Sequence, residues 1–404
     1  MPIKVLVSEL PKKIFTCIPV RFGGNARFFT RNVGLLSVGF QALGIDSRPI
    51  MPGPPMEDDD PRLLRTDYVN LTRASWWSGL QLDGVVLYGW ALPRYTPIAR
   101  AIKQAGLPLF LYLDAIGLWS PWTNGMDFVR NYWTYSTRSF PGPLGWLRFL
   151  VIARSFFPPA LDVPRLRKLS LADAVGLPSP WALESTRRYA RFFGFDSLLP
   201  KLHLTPPPID PVMAYAGQPK QNRVICVGRW HRPDWAQKNP ALLLEALALF
   251  LRQTPGTSAV IVGGGAQALG QTRWAAPLRA ADLSIQFLDH LPHAQLVALL
   301  ATSRIAVCSS TYEAAHLSSF EALCCGCSIV TTTGPALPSV YWGAQENGTI
   351  ASGPGAQGLA LALHRETQAW DQGKRNPAVS SQIWCQKVHA PQAAAQAFKL
   401  LLNC

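Results

Sequence analysis

The stretch Ser309-Ser-Thr-Tyr-Glu-Ala-Ala-His-Leu-Ser-Ser-Phe-Glu-Ala-Leu-Cys-Cys-Gly326 decides how the rest of this chain is read. It follows a strand-length apolar run, 305–308, passes through a short polar loop and enters a helix near Leu317. Glu313 falls in the loop and Glu321 just over one turn into the helix. Both can face a ligand held over the helix N-terminus, where unpaired N–H groups attract phosphate. A buried glutamate needs hydrogen-bond donors, and sugar hydroxyls supply them. The plainer alternative is a capping acid followed by a solvated helix residue. Gly326 is the stop signal, so Cys324, Cys325 and Cys327 sit at the helix C-terminus. A redox pair wants the N-terminus, where the dipole lowers a thiol pKa, so these read as small buried thiols.

Working outward, apolar runs of strand length alternate with helical patterns in both halves, which predicts parallel sheets covered by helices. The second half offers strands over 223–227, 259–262, 285–288, 305–308 and 328–331, and the first half over 3–7, 84–88 and 109–113. Thr205-Pro-Pro-Pro-Ile-Asp-Pro211 cannot lie in a helix or central strand and reads as a stiff, extended linker. The acidic, Pro-rich stretch 51–61 reads as a surface loop in which Asp58, Asp59 and Asp60 are solvated. The division expected is 1–205, 206–385 and a C-terminal helix in 386–404, with a return to the first domain as one option. Two doubly wound sheets side by side place their carboxyl ends around a cleft, the usual ligand site of such sheets.

Two further elements point to that cleft. Val224-Ile-Cys-Val-Gly-Arg-Trp230 ends a strand in Gly-Arg, and Gln237-Lys-Asn239 opens the next helix. Arginine supplies a planar fork and lysine a point charge, a combination suited to a diphosphate, although two surface cations would look the same. Val260-Ile-Val-Gly-Gly-Gly265 runs a strand into a glycine turn, weak evidence alone. The composition agrees with a folded, anion-binding protein. Its 404 residues are 48% hydrophobic, which excludes a disordered chain, and the net charge of +14 favours anionic partners.

The order Gly-Arg…Lys, Val-Gly-Gly-Gly, Phe-Leu-Asp, then Glu-x7-Glu with Glu-Ala-Leu-x-x-Gly resembles the retaining GT-B glycosyltransferases of family 4. The likeness is strong over 205–345 and looser over the first 200 residues. It implies an α/β fold, GT-B, with two Rossmann-like doubly wound domains facing across a cleft. It also implies a nucleotide-sugar co-substrate, UDP-, GDP- or ADP-linked, with no further cofactor and no metal. On this resemblance Arg229 and Lys238 hold the diphosphate, with Arg232 as an alternative ligand. Glu313 binds donor-sugar hydroxyls and Glu321 the ribose. Residues 314–317, with Ala315, His316 and Leu317, offer backbone N–H groups, and Phe287, Leu288 and His290 line the base. His316 stands where members often carry glycine, which recontours the sugar pocket.

Phe22-Gly-Gly-Asn-Ala-Arg-Phe28 resembles the family's glycine loop at the cleft floor, so Gly23 and Gly24 are expected near donor phosphate or acceptor. The family's histidine position falls on Leu113, and no histidine precedes His203. Asp114 is the acid left at this edge and the expected acceptor-positioning or base-like residue. Retaining enzymes of this type lean on phosphate stabilisation, with the leaving diphosphate taking the acceptor proton. The acceptor implied is a glycan or a lipid-linked sugar. Two rivals share the fold: a nucleotide-sugar epimerase or phosphorylase, and a non-catalytic binding subunit.

The segment 130–168 carries seven cations and one acid, with Trp133, Trp146, Phe149, Phe156 and Phe157. It suits an interfacial helix over 144–157 on an anionic membrane surface, or a buried helix whose arginines snorkel; nucleic acid is not the expected partner. The first residues read as a strand and not a signal peptide, and no uncharged apolar run approaches the ~18 residues of a spanning helix. The expected location is cytoplasmic, with peripheral contact at the inner face of the membrane as an option.

Overall fold

A computed structural model describes residues 12–89, 91–113, 126, 129, 133, 136–137, 142–154, 161–311, 313, 315–332, 347–353 and 355–402. Two parallel sheets organise them. The first contains β1 (Ile14–Cys17), β2 (Pro49–Pro52), β3 (Leu64–Thr66), β4 (Gly84–Tyr88), β5 (Leu109–Tyr112), β6 (Ala174–Leu177) and β7 (Leu202–Leu204). Its strand order is β3-β2-β1-β4-β5-β6-β7. The second contains β8 (Gln221–Val227), β9 (Ser258–Val262), β10 (Ile285–Leu288), β11 (Ser303–Cys308), β12 (Ser328–Thr331) and β13 (Gly348–Ile350), in the order β10-β9-β8-β11-β12-β13. The winding direction reverses between β1 and β4 in one sheet and between β8 and β11 in the other. Ligand crevices open at such switch points, outside the carboxyl ends of the strands.

Each sheet buries both faces, which is why its central strands are continuous apolar runs. In β4, Val85 and Leu87 enter one core while Val86 and Tyr88 enter the core on the opposite face. In β8, Val224 and Cys226 point one way and Ile225 the other. The C-terminal helix Pro391–Leu402 packs on Asn32–Ala42 in the first domain. Gly39 makes that approach possible, since a Cβ there would lie 2.0 Å from the Pro391 carbonyl oxygen. Phe398 then sets its ring 5.8 Å from that of Tyr112.

All five expected strands of the second half are present, with β13 added. The first half departs further from expectation. The expected strand 3–7 lies outside the described residues, and the central strand is Ile14–Cys17. Met51 and Pro52 do not begin a loop; they end β2, with Met51 fully buried. Prolines at the first and last positions of a short strand disguise it, because proline lacks the ladder donor. Nor are the three aspartates merely solvated. Asp59 pairs with Arg65 at 2.7 Å, Asp60 with Arg62 at 2.7 Å, and Asp58 accepts from Asn25 at 3.1 Å. The proline linker is extended but clamped: Ile209 N–H donates to the His389 carbonyl at 2.9 Å. His389 Nδ1 lies 2.7 Å from the Pro207 carbonyl, and burial lowers its pKa to about 4. All described cysteines are free and buried, including Cys324, Cys325 and Cys327.

Candidate active site at the interdomain cleft

The strand β8 ends at Val227, and after Gly228 and Arg229 the chain makes an eight-residue excursion, 230–237, before reaching Lys238. Trp230 anchors it, 2% exposed, with its indole N–H donating to the Val262 carbonyl at 2.9 Å. Trp235 folds the excursion back by donating its own indole N–H to the Trp230 carbonyl at 2.6 Å. Asn239 then takes a left-handed conformation at φ 48°, which asparagine tolerates, and the helix Pro240–Gln253 begins with proline in its first turn. The loop after β11 is tied to this turn. Ser309 Oγ donates to the Lys238 carbonyl at 2.7 Å, and Thr311 N–H to the Gln237 carbonyl at 2.7 Å.

That stitching brings Lys238 Nζ to 2.5 Å from Glu313 Oε1, with both residues buried. Gln237 Nε2 donates to the second carboxylate oxygen at 3.1 Å. Burial works against ionisation of Glu313, but the Lys238 ammonium overcomes it and holds its pKa below the ordinary value. His316 precedes the helix Leu317–Cys324, buried, with Nδ1 2.6 Å from Ser319 Oγ. Burial, reinforced by Lys238, lowers its pKa to about 4, so it is a neutral imidazole at neutral pH. Ser318 Oγ donates to the Val227 carbonyl at 3.1 Å, seating the helix start against the end of β8.

A cavity of about 580 Å³ opens between the domains, lined by Gly23, Arg27 and Arg31 on one side and by Asp210, Leu317 and Glu321 on the other. Burial raises the Glu321 pKa to about 7; Arg31 opposes that rise and Asp210 adds to it. The two glutamates therefore do different things. Glu313 is locked into an ion pair beneath the helix start, and Glu321 faces the cleft.

Other expected residues are spread around these two groups. Arg229 has a side chain 67% exposed and bridges to Asp234 at 3.2 Å. Arg232 is exposed, its guanidinium 5.8 Å from the Trp235 ring. Phe287 and Leu288 pack on the two cores of the second domain, His290 is exposed, and none of the three lines the cavity. Ala315 is half-buried beside the same core as Leu317. Gly24 is buried, and a Cβ on it would lie 2.3 Å from Asp59 Oδ1, so it serves the aspartate loop; Gly23 lines the cavity. Asp114 lies outside the described residues. The glycine turn is a packing device, because a Cβ on Gly263 would meet the Gly228 carbonyl oxygen at 1.9 Å.

Sequence reasoning missed Arg31, Arg27 and Asp210. A signal was present for Arg31: it stands immediately before the helix Asn32–Ala42, where a cation opposes the dipole and so needs another reason. No helix among the described residues is long and apolar enough to cross a membrane.

Residues 221–366 match the family described as glycosyl transferases group 1. No curated protein matches the sequence. Among solved structures the chain is similar to HepE of Anabaena in complex with UDP and glucose, at 14% identity and TM-score 0.61, covering 97% of this chain and 100% of that one. It is similar to a glycosyltransferase of Rickettsia africae at 12% identity and TM-score 0.65, covering 97% and 98%. It is also similar to sucrose-phosphate synthase of Thermosynechococcus elongatus, at 16% identity and TM-score 0.59, again covering 97% and 98%. The second domain thus carries the match to glycosyl transferases group 1, and the whole chain has the two-domain GT-B fold.

Proposed function

We propose that this chain is a retaining glycosyltransferase that moves a hexose or similar sugar from a nucleotide-sugar donor to a glycan or glycolipid acceptor. The observation that carries the proposal is the buried Lys238–Glu313 pair, set at the switch point of the second sheet within the domain that matches the glycosyltransferase family. Residues 206–385 take the donor and 1–205 the acceptor. Donor entry repartitions the pair: Lys238 turns to the diphosphate and Glu313 accepts hydrogen bonds from sugar hydroxyls. The exposed bridge from Arg229 to Asp234 is a weak restraint, so Arg229 can turn to the same diphosphate. Glu321, half-buried at the cavity, receives the ribose hydroxyls, and His316 sets the contour beneath the sugar.

The bond between the anomeric carbon and the diphosphate oxygen breaks with its electron pair leaving on phosphate. The acceptor oxygen bonds to that carbon on the same face, and its proton passes to the departing phosphate oxygen. Cations fixed in a closed cleft stabilise the negative charge that develops on the diphosphate, and they do so without the reorganisation that water would require. Asp114 is assigned to orient the acceptor hydroxyl.

The test is calorimetric titration of UDP, GDP and ADP into wild type and into Arg229→Ala/Lys238→Ala. UDP is tried first because HepE, of similar fold, is a complex with UDP. Binding of one nucleotide, weakened about 100-fold in the double variant, is expected for two charge-assisted contacts. Binding of none of the three would remove the donor site and leave a non-catalytic subunit as the better reading.

A further inference from the structure

The helix Pro143–Arg154 turns its apolar side away from the protein. Leu144, Trp146, Leu147, Leu150 and Val151 are 61%, 57%, 60%, 56% and 61% exposed. At 3.6 residues per turn these five positions fall within an arc of about 160° on one side of the helix. The exposed Arg154 shares that arc, while Gly145 is buried and Phe149 half-buried on the opposite side. Trp133 braces the helix from beneath, its ring edge-on to Trp146 at 4.5 Å and to Phe149 at 5.2 Å. A buried helix with snorkelling arginines is therefore not what the fold builds.

Charge identifies what covers this face. From residue 128 to residue 161 the chain contains no aspartate or glutamate and four arginines, 130, 138, 148 and 154. Of these, Arg154 is the one described on the exposed arc; if a second copy covered the face, the segment would bring no acid to meet it. A layer of acidic headgroups over hydrocarbon offers the complement to both features. The helix is also placed suitably. It belongs to the crossover that leaves β5 at the carboxyl edge of the first sheet, the edge that borders the cleft. Twelve residues span about 18 Å, short of a bilayer core, so the helix lies on the surface and does not cross it.

We propose that the helix Pro143–Arg154 is an interfacial element that docks the first domain on an anionic lipid surface. This goes beyond the donor site and stands or falls separately from it, since nucleotide binding is read by calorimetry on the same samples. The test is flotation of the full chain with phosphatidylcholine vesicles, with and without phosphatidylglycerol. Wild type is expected to float with the phosphatidylglycerol vesicles, less so as salt rises, and to stay behind with phosphatidylcholine alone. Leu147→Asp/Val151→Asp is expected to lose about tenfold in bound fraction, with unchanged melting and nucleotide binding. Leu147→Ser/Val151→Ser, a milder change at the same exposed positions, should fall in between. No flotation, flotation unaffected by the substitutions, or equal flotation on both vesicles would overturn the proposal. So would a wild-type dimer that Leu147→Asp/Val151→Asp splits without any vesicle binding.

Discussion

Each domain buries a lysine near the carboxyl edge of its sheet, and the two lysines have opposite surroundings. In the second domain Lys238 meets Glu313 at 2.5 Å, with Gln237 completing the carboxylate. In the first, Lys168 is 0% exposed; its Nζ donates to the Gly89 carbonyl at 3.0 Å and lies 5.4 Å from the centre of the Tyr95 ring. Among the described residues no carboxylate pairs with it. Burial alone lowers its pKa to about 7. A Cβ on Gly89 would stand 2.5 Å from that nitrogen, so the glycine leaves room for the ammonium where it lies. Burial sets the penalty on a charge, and the partner decides whether the charge is kept. A charged pair inside a cleft is a group that a ligand can exchange with. A lone amine on a carbonyl is a pH-sensitive weak point in the packing.

The contrast between the two lysines breaks most severely if Glu313 is removed. Glu313→Ala leaves Lys238 buried without its counter-ion and is expected to destabilise the fold by about 3–5 kcal/mol, the usual result of halving a buried pair. Chemical denaturation at neutral pH measures it. A loss below about 1 kcal/mol would mean that the pair is solvated in practice.

Lys168→Met is expected to act in the other direction. The folded pKa of about 7 lies below the unfolded value of 10.5, so between them the unfolded chain holds a proton that the folded chain has lost. Wild-type stability attributable to this group therefore rises with pH across that window, and its penalty is fully present below pH 7. The methionine variant should be more stable than wild type by about 2–4 kcal/mol at pH 7, and the gap should shrink by pH 9. Comparing the two proteins at each pH cancels the titration of buried thiols. A gap that does not change with pH would mean that Lys168 stays charged.

The smallest effect is expected at Glu321, which is half-buried and faces the cleft. Its folded pKa of about 7 stands above the ordinary carboxyl value of 4.5, so the folded state holds a proton that the unfolded state has lost. Stability from this group falls as pH rises through that window and is lowest above 7. Glu321→Gln should gain about 1 kcal/mol at pH 8, discounted for its exposure, and nothing at pH 4. Thermal melts at the two pH values decide it; an equal change at both would remove the carboxyl's titration as the cause.

How much of this is legible in the sequence depends on what each residue answers to. The strands at 223–227, 259–262 and 305–308 are readable because both faces of the sheet are buried, which forces uninterrupted apolar runs. The short outer strands Pro49–Pro52, Leu64–Thr66 and Leu202–Leu204 are not, being three or four residues long and, in β2, bounded by prolines. The cation-rich segment 130–168 looks like one feature in the sequence, yet Arg165 and Lys168 are buried while Arg154 and Arg167 are exposed. A helix's facing cannot be taken from composition when both of its sides are largely apolar.

By itself, then, the sequence determined the α/β class and the position of the helix that begins at Leu317, which follow from local periodicity and from short-range signals such as Gly326 and Pro240; it offered Lys238, Glu313 and Glu321 as candidates. The tertiary structure decided the pairings. It joined Lys238 to Glu313 across 75 positions of chain, turned Arg229 to Asp234, placed Arg31 opposite Glu321, and gave Lys168 no counter-ion among the described residues. Partners so distant in sequence are set by how the strands stack and where each loop is stitched. That information lies in the packing of two sheets and in no single stretch of the chain.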